Sequence, residues 1–191
     1  MSRIDLVALA QETIAHVLHA GDIAIDATVG NGHDTLFLAH CVGPSGHVYG
    51  FDIQHSALAN AQQRLSQQGI ASRVTLVEAG HETLAAHLPL RHQHAIKAVM
   101  FNLGYLPGSE KTVTTSPATT MRALTAACAQ LASGGVISVV AYTGHPGGHQ
   151  ETEAIKEWAR QLDAHRYDVT VTVPEARHST PPELIIIRDR R

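Results

Sequence analysis

Two short apolar runs, each ending in an acid, constrain this chain more than any other feature of it. The first lies in Asp22-Ile-Ala-Ile-Asp-Ala-Thr-Val-Gly-Asn-Gly-His-Asp34, the second in Gly46-His-Val-Tyr-Gly-Phe-Asp52-Ile. Ile23 to Ala27 is apolar and β-branched, the pattern of a buried parallel strand. Gly30 and Gly32 permit a tight turn into a helix, and without side chains they let backbone N–H groups approach a ligand closely. The second run places Asp52 at the carboxyl end of strand two, where an acid can accept hydrogen bonds from both ribose hydroxyls of a nucleotide. The plainer alternative is that the glycines only turn the chain and that Asp52 caps a helix.

The spacing excludes two common cofactors. Gly-x-Gly-x-x-Gly would need glycine where Thr35 stands, and no Gly-Lys-Ser or Gly-Lys-Thr occurs in the chain, so neither a dinucleotide nor a P-loop triphosphate fits. S-adenosylmethionine fits better. It has no phosphate to cradle, its ribose needs an acid, and its amino-acid end needs backbone donors and carboxylates.

At 191 residues the chain suits one domain, 1–191, with one well-buried core. No apolar stretch approaches a membrane span, and the amino terminus lacks the basic and apolar regions of a secretory signal, so a cytoplasmic protein is expected. Cys41 and Cys128 fall in apolar, helix-like stretches and read as buried free thiols. The formal charge of −3 does not suggest DNA binding but leaves room for a local RNA patch. Arg188-Asp-Arg-Arg191 offers one such patch, or is a solvated basic tail. Fourteen histidines raise the question of a metal, yet none forms His-Glu-x-x-His or joins a cysteine cluster, so no metal is expected.

Strand and helix patterns alternate regularly. Helices are predicted over 4–18, 34–41, 56–68, 82–88, 117–132 and 150–163, and strands over 23–27, 46–52, 73–78, 95–102, 135–142, 167–173 and 184–188. That order predicts an α/β, Rossmann-like fold: a doubly wound, mostly parallel sheet of seven strands with helices on both faces and an antiparallel hairpin at one edge. The ligand should lie over the carboxyl ends of strands one to five.

Strand four runs into Asn102-Leu-Gly-Tyr105. This resembles the Asn-Pro-Pro-Tyr tetrad of amine-directed methyltransferases, with Leu103 and Gly104 in place of the prolines. An amine nucleophile must be aligned with the methyl group and must shed a proton, for which Tyr105 is the first candidate base or relay. The competing reading has Asn102 capping a turn and Tyr105 filling the core edge. After strand three, Gly80, His81 and Glu82 are placed to meet an adenine, although Glu82 also suits a first helical turn. After strand five, the glycine-rich Tyr142-Thr-Gly-His145-Pro-Gly-Gly148 is expected to approach a substrate or a neighbouring backbone, with Tyr142 and His145 holding a base.

Asp26-Ala-Thr-Val-Gly-Asn-Gly-His-Asp34, Gly50-Phe-Asp-Ile-Gln54, Phe101-Asn-Leu-Gly-Tyr-Leu-Pro-Gly108, Tyr142 to Gly148 and Pro181-Pro-Glu-Leu184 together resemble one family across nearly the whole chain. It is the bacterial group labelled "putative rRNA methylase", class I S-adenosylmethionine-dependent methyltransferases that include the enzymes methylating 5-aminomethyl-2-thiouridine at the tRNA wobble position. The resemblance implies that Asn31, Gly32, Asp34, Asp52, Gln54 and His81 contact the cofactor and that the Asn102–Tyr105 turn faces the amine. Asp26, Thr28, Gly30 and Gly80 complete the expected cofactor set. The expected partner is RNA, a tRNA anticodon stem-loop; a homodimer is compatible with the sequence. The chain departs from the family pattern at Ser109-Glu110-Lys111 and at Arg177-His-Ser-Thr180, which makes Lys111 and Arg177 candidate RNA contacts. An rRNA methyltransferase, a small-molecule methyltransferase and a non-catalytic cofactor-binding protein are the alternatives.

Overall fold

The computed structural model describes residues 5–104, 115–174 and 180–191. Strands β1 (Ile23–Asp26), β2 (His47–Asp52), β3 (Val74–Glu78), β4 (Ile96–Leu103), β5 (Leu131–Ala141), β6 (Tyr167–Thr172) and β7 (Glu183–Asp189) form one sheet in the order β3-β2-β1-β4-β5-β7-β6. Neighbours run parallel from β3 to β5, and β7 lies antiparallel between β5 and β6. The helices are α1 (Leu6–Ala15), α2 (His33–Cys41), α3 (His55–Gln67), α4 (Pro117–Gln130) and α5 (Gly148–Arg160).

Successive residues of a strand face opposite sides of the sheet, and here each side has its own core. Ala24, Ala98, Met100, Val136 and Ile186 pack with Leu6 and Ile14 of α1, Leu38 of α2 and Leu65 of α3. Ile25, Val99, Phe101, Ile137 and Ile187 pack on the other side with Leu124 and Cys128 of α4 and Ile155 of α5. Strands buried on both faces explain why the sequence shows continuous apolar runs there. The expected doubly wound sheet of seven strands is the one observed. From β1 the chain steps outward to β3, then returns to β4 on the other side of β1. The loops leaving β1 and β4 therefore diverge and open a crevice at the carboxyl edge.

Three elements differ from expectation. Helix α1 is shorter than 4–18, running from the cap at Asp5, whose carboxylate accepts the Val7 and Ala8 amides, to Ala15, although Leu18 still reaches the core. The stretch predicted as a helix over 82–88 is a 3₁₀ helix, His81–His87, because Pro89 disfavours α geometry at Leu88 and the short run closes with tighter i→i+3 bonds. Strand β5 begins at Leu131, inside the predicted end of α4, and pairs with Ile96 before a register shift. Among the described residues no helix is long and apolar enough to cross a membrane, and no three His, Cys, Asp or Glu side chains converge on a possible metal position. Cys128 is buried and Cys41 half-buried, both as free thiols.

Candidate active site

A cavity of about 1060 Å³ opens over the carboxyl ends of the parallel strands, and each of the five loops expected there contributes to its wall. Of the residues singled out from sequence, Thr28, Gly30, Asn31, Asp34, Asp52, Gln54, Gly80, His81, Asn102, Tyr142 and His145 line it. Asp26 and Gly32 do not. Tyr105, Lys111 and Arg177 lie outside the described residues.

The β1 and β2 loops are tied together by one carboxylate. Asp52 accepts the Gly30 N–H (2.9 Å) on one oxygen and the Gln54 N–H (2.9 Å) on the other. Gln54, not Asp52, is the residue that caps α3. A carboxylate has about four lone-pair sites, so two backbone donors leave room for two hydroxyls.

Gly32 has a structural task. Its φ is +75°, and a Cβ there would come within 2.8 Å of the Ala61 Cα. The close approach that glycine permits at this position is to α3.

Asp26 sits beneath the turn, almost wholly buried, accepting the Thr35 hydroxyl (2.6 Å) and the Thr28 N–H (3.1 Å). Burial, and then the charge of Asp34, push its carboxyl up to about 7. Asp34, in the first turn of α2, is also pushed up by burial, but accepts amide N–H groups from Gln11 (2.7 Å) and from Asn102. Gln11 escaped the sequence reading although a local sign exists: it interrupts the apolar stripe of Val7 and Ile14 on α1, which Leu18 continues past the helix end.

Asn102 is a strand residue, paired with Val140, and does not cap a turn. Its backbone N–H is held by the Thr28 hydroxyl at 2.7 Å and its side-chain NH2 by Asp34, while its Oδ1 is buried without a hydrogen-bond partner among the described residues. Gly104, two residues on, has φ +155°, a conformation closed to proline, so the chain leaves β4 differently from an Asn-Pro-Pro turn.

His81 is buried against the edge of Phe101, its Nδ1 3.3 Å from the Ala27 carbonyl and its Nε2 without a partner among the described residues. Burial lowers its pKa, so near neutral pH the ring donates through Nδ1 and presents a bare acceptor at Nε2. Tyr142 is 43% exposed at the rim. Burial, then the Asp34 charge, raise its hydroxyl pKa, so it acts there as a protonated donor.

The basic carboxyl-terminal segment lies elsewhere. Because β7 is antiparallel to β5, Glu183 pairs with Ala141 beside the cavity and Arg188 with Val136 toward the opposite edge. Arg190 pairs there with Asp168 (2.8 Å), and Arg191 and Arg166 with Asp189. Arg190, Arg191 and Arg166 thus pair with neighbouring acids at the edge opposite the cavity.

Residues 48–188 match the family model described as "Putative rRNA methylase". A chloroplastic tRNA (mnm(5)s(2)U34)-methyltransferase of Arabidopsis thaliana is 39% identical over 155 residues, covering 76% of this chain and 56% of that longer protein. Among solved structures, a Clostridium thermocellum protein carrying the rRNA-methylase label superposes with TM-score 0.93 at 37% identity, covering 99% of this chain and all of the other. A Streptococcus mutans methyltransferase solved in complex with SAH superposes with TM-score 0.88 at 34% identity, over 98% and 99% of the two chains. With the family model matching most of its length and the fold shared from end to end, this chain belongs to the "Putative rRNA methylase" family of class I methyltransferases.

Proposed function

We propose that the protein is an S-adenosylmethionine-dependent RNA methyltransferase, and that its substrate is the exocyclic amine of 5-aminomethyl-2-thiouridine at the tRNA wobble position. The observation that carries the reading is the buried Oδ1 of Asn102 in the cavity wall, unpartnered among the described residues. A buried acceptor without a partner costs about 1–3 kcal/mol, which a donor N–H would recover. An amine nitrogen is such a donor, and the alternative of rRNA is kept distinct by the test below.

The residues present suit the cofactor. Asp52 has acceptor capacity left for the ribose hydroxyls, His81 Nε2 is an acceptor of the kind an adenine amino group requires, and Asn31 in the turn suits an amino-acid end, while Asp34, whose two oxygens already accept from Gln11 and Asn102, is assigned to Asn102. The bound cofactor supplies an electrophilic methyl group on a sulfonium. Asn102 Oδ1 accepts an N–H of the amine and so aims the nitrogen lone pair. A nitrogen–carbon bond forms as the carbon–sulfur pair returns to sulfur, and the methylated nitrogen releases its proton to water, directly or relayed through the Tyr105 hydroxyl, which passes on its own proton as it takes one up. Tyr142 and His145 at the rim are assigned to holding the base, and Lys111 and Arg177 to the RNA. The Arabidopsis relative's name is consistent with this substrate.

The test is to incubate the protein with labelled S-adenosylmethionine and total tRNA from cells lacking the wobble methylation step, digest the RNA, and identify the labelled nucleoside. Label in 5-methylaminomethyl-2-thiouridine is the expected result. Label in rRNA alone, or only in a free small amine, would replace the substrate assignment.

A further inference from the structure

We propose that Asp34 is a positioning residue for Asn102: it fixes which end of the Asn102 amide faces the reacting nitrogen and polarises that end, while Gln11 on α1 holds the carboxylate in place. This deepens, and rests on, the reading of Asn102 as the amine acceptor.

The two ends of an asparagine amide have nearly the same shape, so hydrogen-bond partners decide which way it points. In one orientation the Asn102 NH2 donates to Asp34, as observed. In the other, Oδ1 would face a carboxylate, and two acceptors would oppose each other in a buried place. Asp34 therefore excludes the flipped amide, which would present an NH2 group and repel the N–H of an incoming amine. The Thr28 hydroxyl fixes the Asn102 backbone at 2.7 Å, so the side-chain orientation is the remaining freedom that Asp34 removes.

Asp34 is also suited to respond to charge. Its oxygens accept from two neutral amides, and it forms no ion pair among the described residues. During methyl transfer positive charge moves from sulfur to the nitrogen, which in the proposed reading lies against Asn102 Oδ1. A carboxylate on the far side of that amide draws electron density toward Oδ1 and favours the charged nitrogen more than the neutral one. Among the described residues Gln11 is the one donor to Asp34 from outside the sheet and its loops. It brings α1 into the site although that helix precedes the first strand.

The test uses Asp34→Asn, Asp34→Ala, Asn102→Ala, Gln11→Ala and the Asp34→Ala/Asn102→Ala double variant, each checked by thermal melting. Three quantities are read: the chemical shift and hydrogen exchange of the Asn102 side-chain amide by ¹⁵N NMR, SAH affinity by calorimetry, and single-turnover methylation of tRNA. The wild-type amide proton is expected downfield and slow to exchange, and both Asp34 variants lose that signature. Methylation is expected to fall by about tenfold or more in Asp34→Asn with SAH affinity within about threefold, and the double variant is no slower than Asn102→Ala, because groups acting as a unit are not additive. Gln11→Ala gives a smaller loss in the same direction and carries the test if the Asp34 variants do not fold. An unmoved Asn102 amide signal, SAH affinity falling in step with the rate, or single-variant losses that multiply in the double variant would each overturn the proposal. Wild-type rates in Asp34→Asn with an inactive Asn102→Ala would refute Asp34 alone. A wild-type rate in Asn102→Ala would remove both assignments.

Discussion

Asp52 holds Gly30: one carboxylate oxygen accepts the Gly30 N–H at 2.9 Å and so locks the glycine turn after β1 to the end of β2. The residue assigned to the ribose is thus also the clasp between the two halves of the proposed cofactor grip. Asp52→Ala should weaken SAH binding by about 10–100-fold, the range for losing hydrogen bonds to a charged group. Calorimetry with SAH checks this, and an affinity within about twofold of wild type would remove Asp52 from the cofactor site.

Asn102→Ala should lower methyl transfer by about 100-fold or more, the loss typical when one acceptor or donor aimed at developing charge is removed. SAH affinity should stay near the wild-type value, since the acceptor serves the amine. Matched losses in both would place Asn102 on the cofactor instead.

Gly32→Ala should destabilise the fold by about 2 kcal/mol, because the new methyl meets α3 backbone at Ala61 and the residue keeps a positive φ. In a chain of this size that corresponds to a Tm lower by about 4–8 °C. A normal melting temperature with lost SAH binding would give Gly32 a ligand role instead of this packing one.

Asp26 makes a pH-dependent contribution whose sign follows from its raised pKa. The folded state holds this proton up to about pH 7, whereas the unfolded chain releases it near the ordinary carboxylate value of 3.8. Between those limits the folded state binds more protons, so this group's contribution to stability declines as pH rises through that window and is flat on either side. Asp26→Asn keeps an acceptor for the Thr28 N–H or the Thr35 hydroxyl and removes the buried charge. Its Tm relative to wild type should therefore be more favourable at pH 8 than at pH 5. A constant difference between melting curves at the two values would show that Asp26 titrates normally.

Arg190→Ala and Arg191→Ala should leave tRNA affinity within about twofold and its salt dependence unchanged, because a lost phosphate contact would reduce the salt slope by about one. Both arginines are engaged with Asp168 and Asp189 at the edge opposite the cavity. A shallower salt slope in either variant would place RNA on that edge.

The parallel strands and the acid at the end of β2 were legible because their signals are local: an apolar run, a turn rich in glycine, an acid at a fixed offset. The partners that give those residues their tasks were not. Asp34 meets Gln11 across 23 positions and Asn102 across 68, and buried Glu151 accepts the Thr115 and Thr120 hydroxyls across 36 and 31. Gly32 shows the same limit. Its need for a missing side chain is visible in the turn pattern, but that the crowding atom belongs to Ala61 depends on how α3 packs against α2. The tail arginines were ambiguous for a topological reason, since only the reversal of β7 determines at which edge they arrive.

That reversal also bears on how the chain is made. β6 precedes β7 in sequence yet among the described residues has no neighbour in the sheet except β7, and β5 has β7 on its outer side. While the polypeptide is being synthesised, everything through β6 can emerge with the outer edge of β5 still unpaired and β6 with nothing to join. The sheet becomes whole only when Glu183–Asp189 slides between them. A ribosome stalled a few codons before that segment would therefore hold a nascent chain whose cofactor turns are already made but whose sheet still offers an open, aggregation-prone edge.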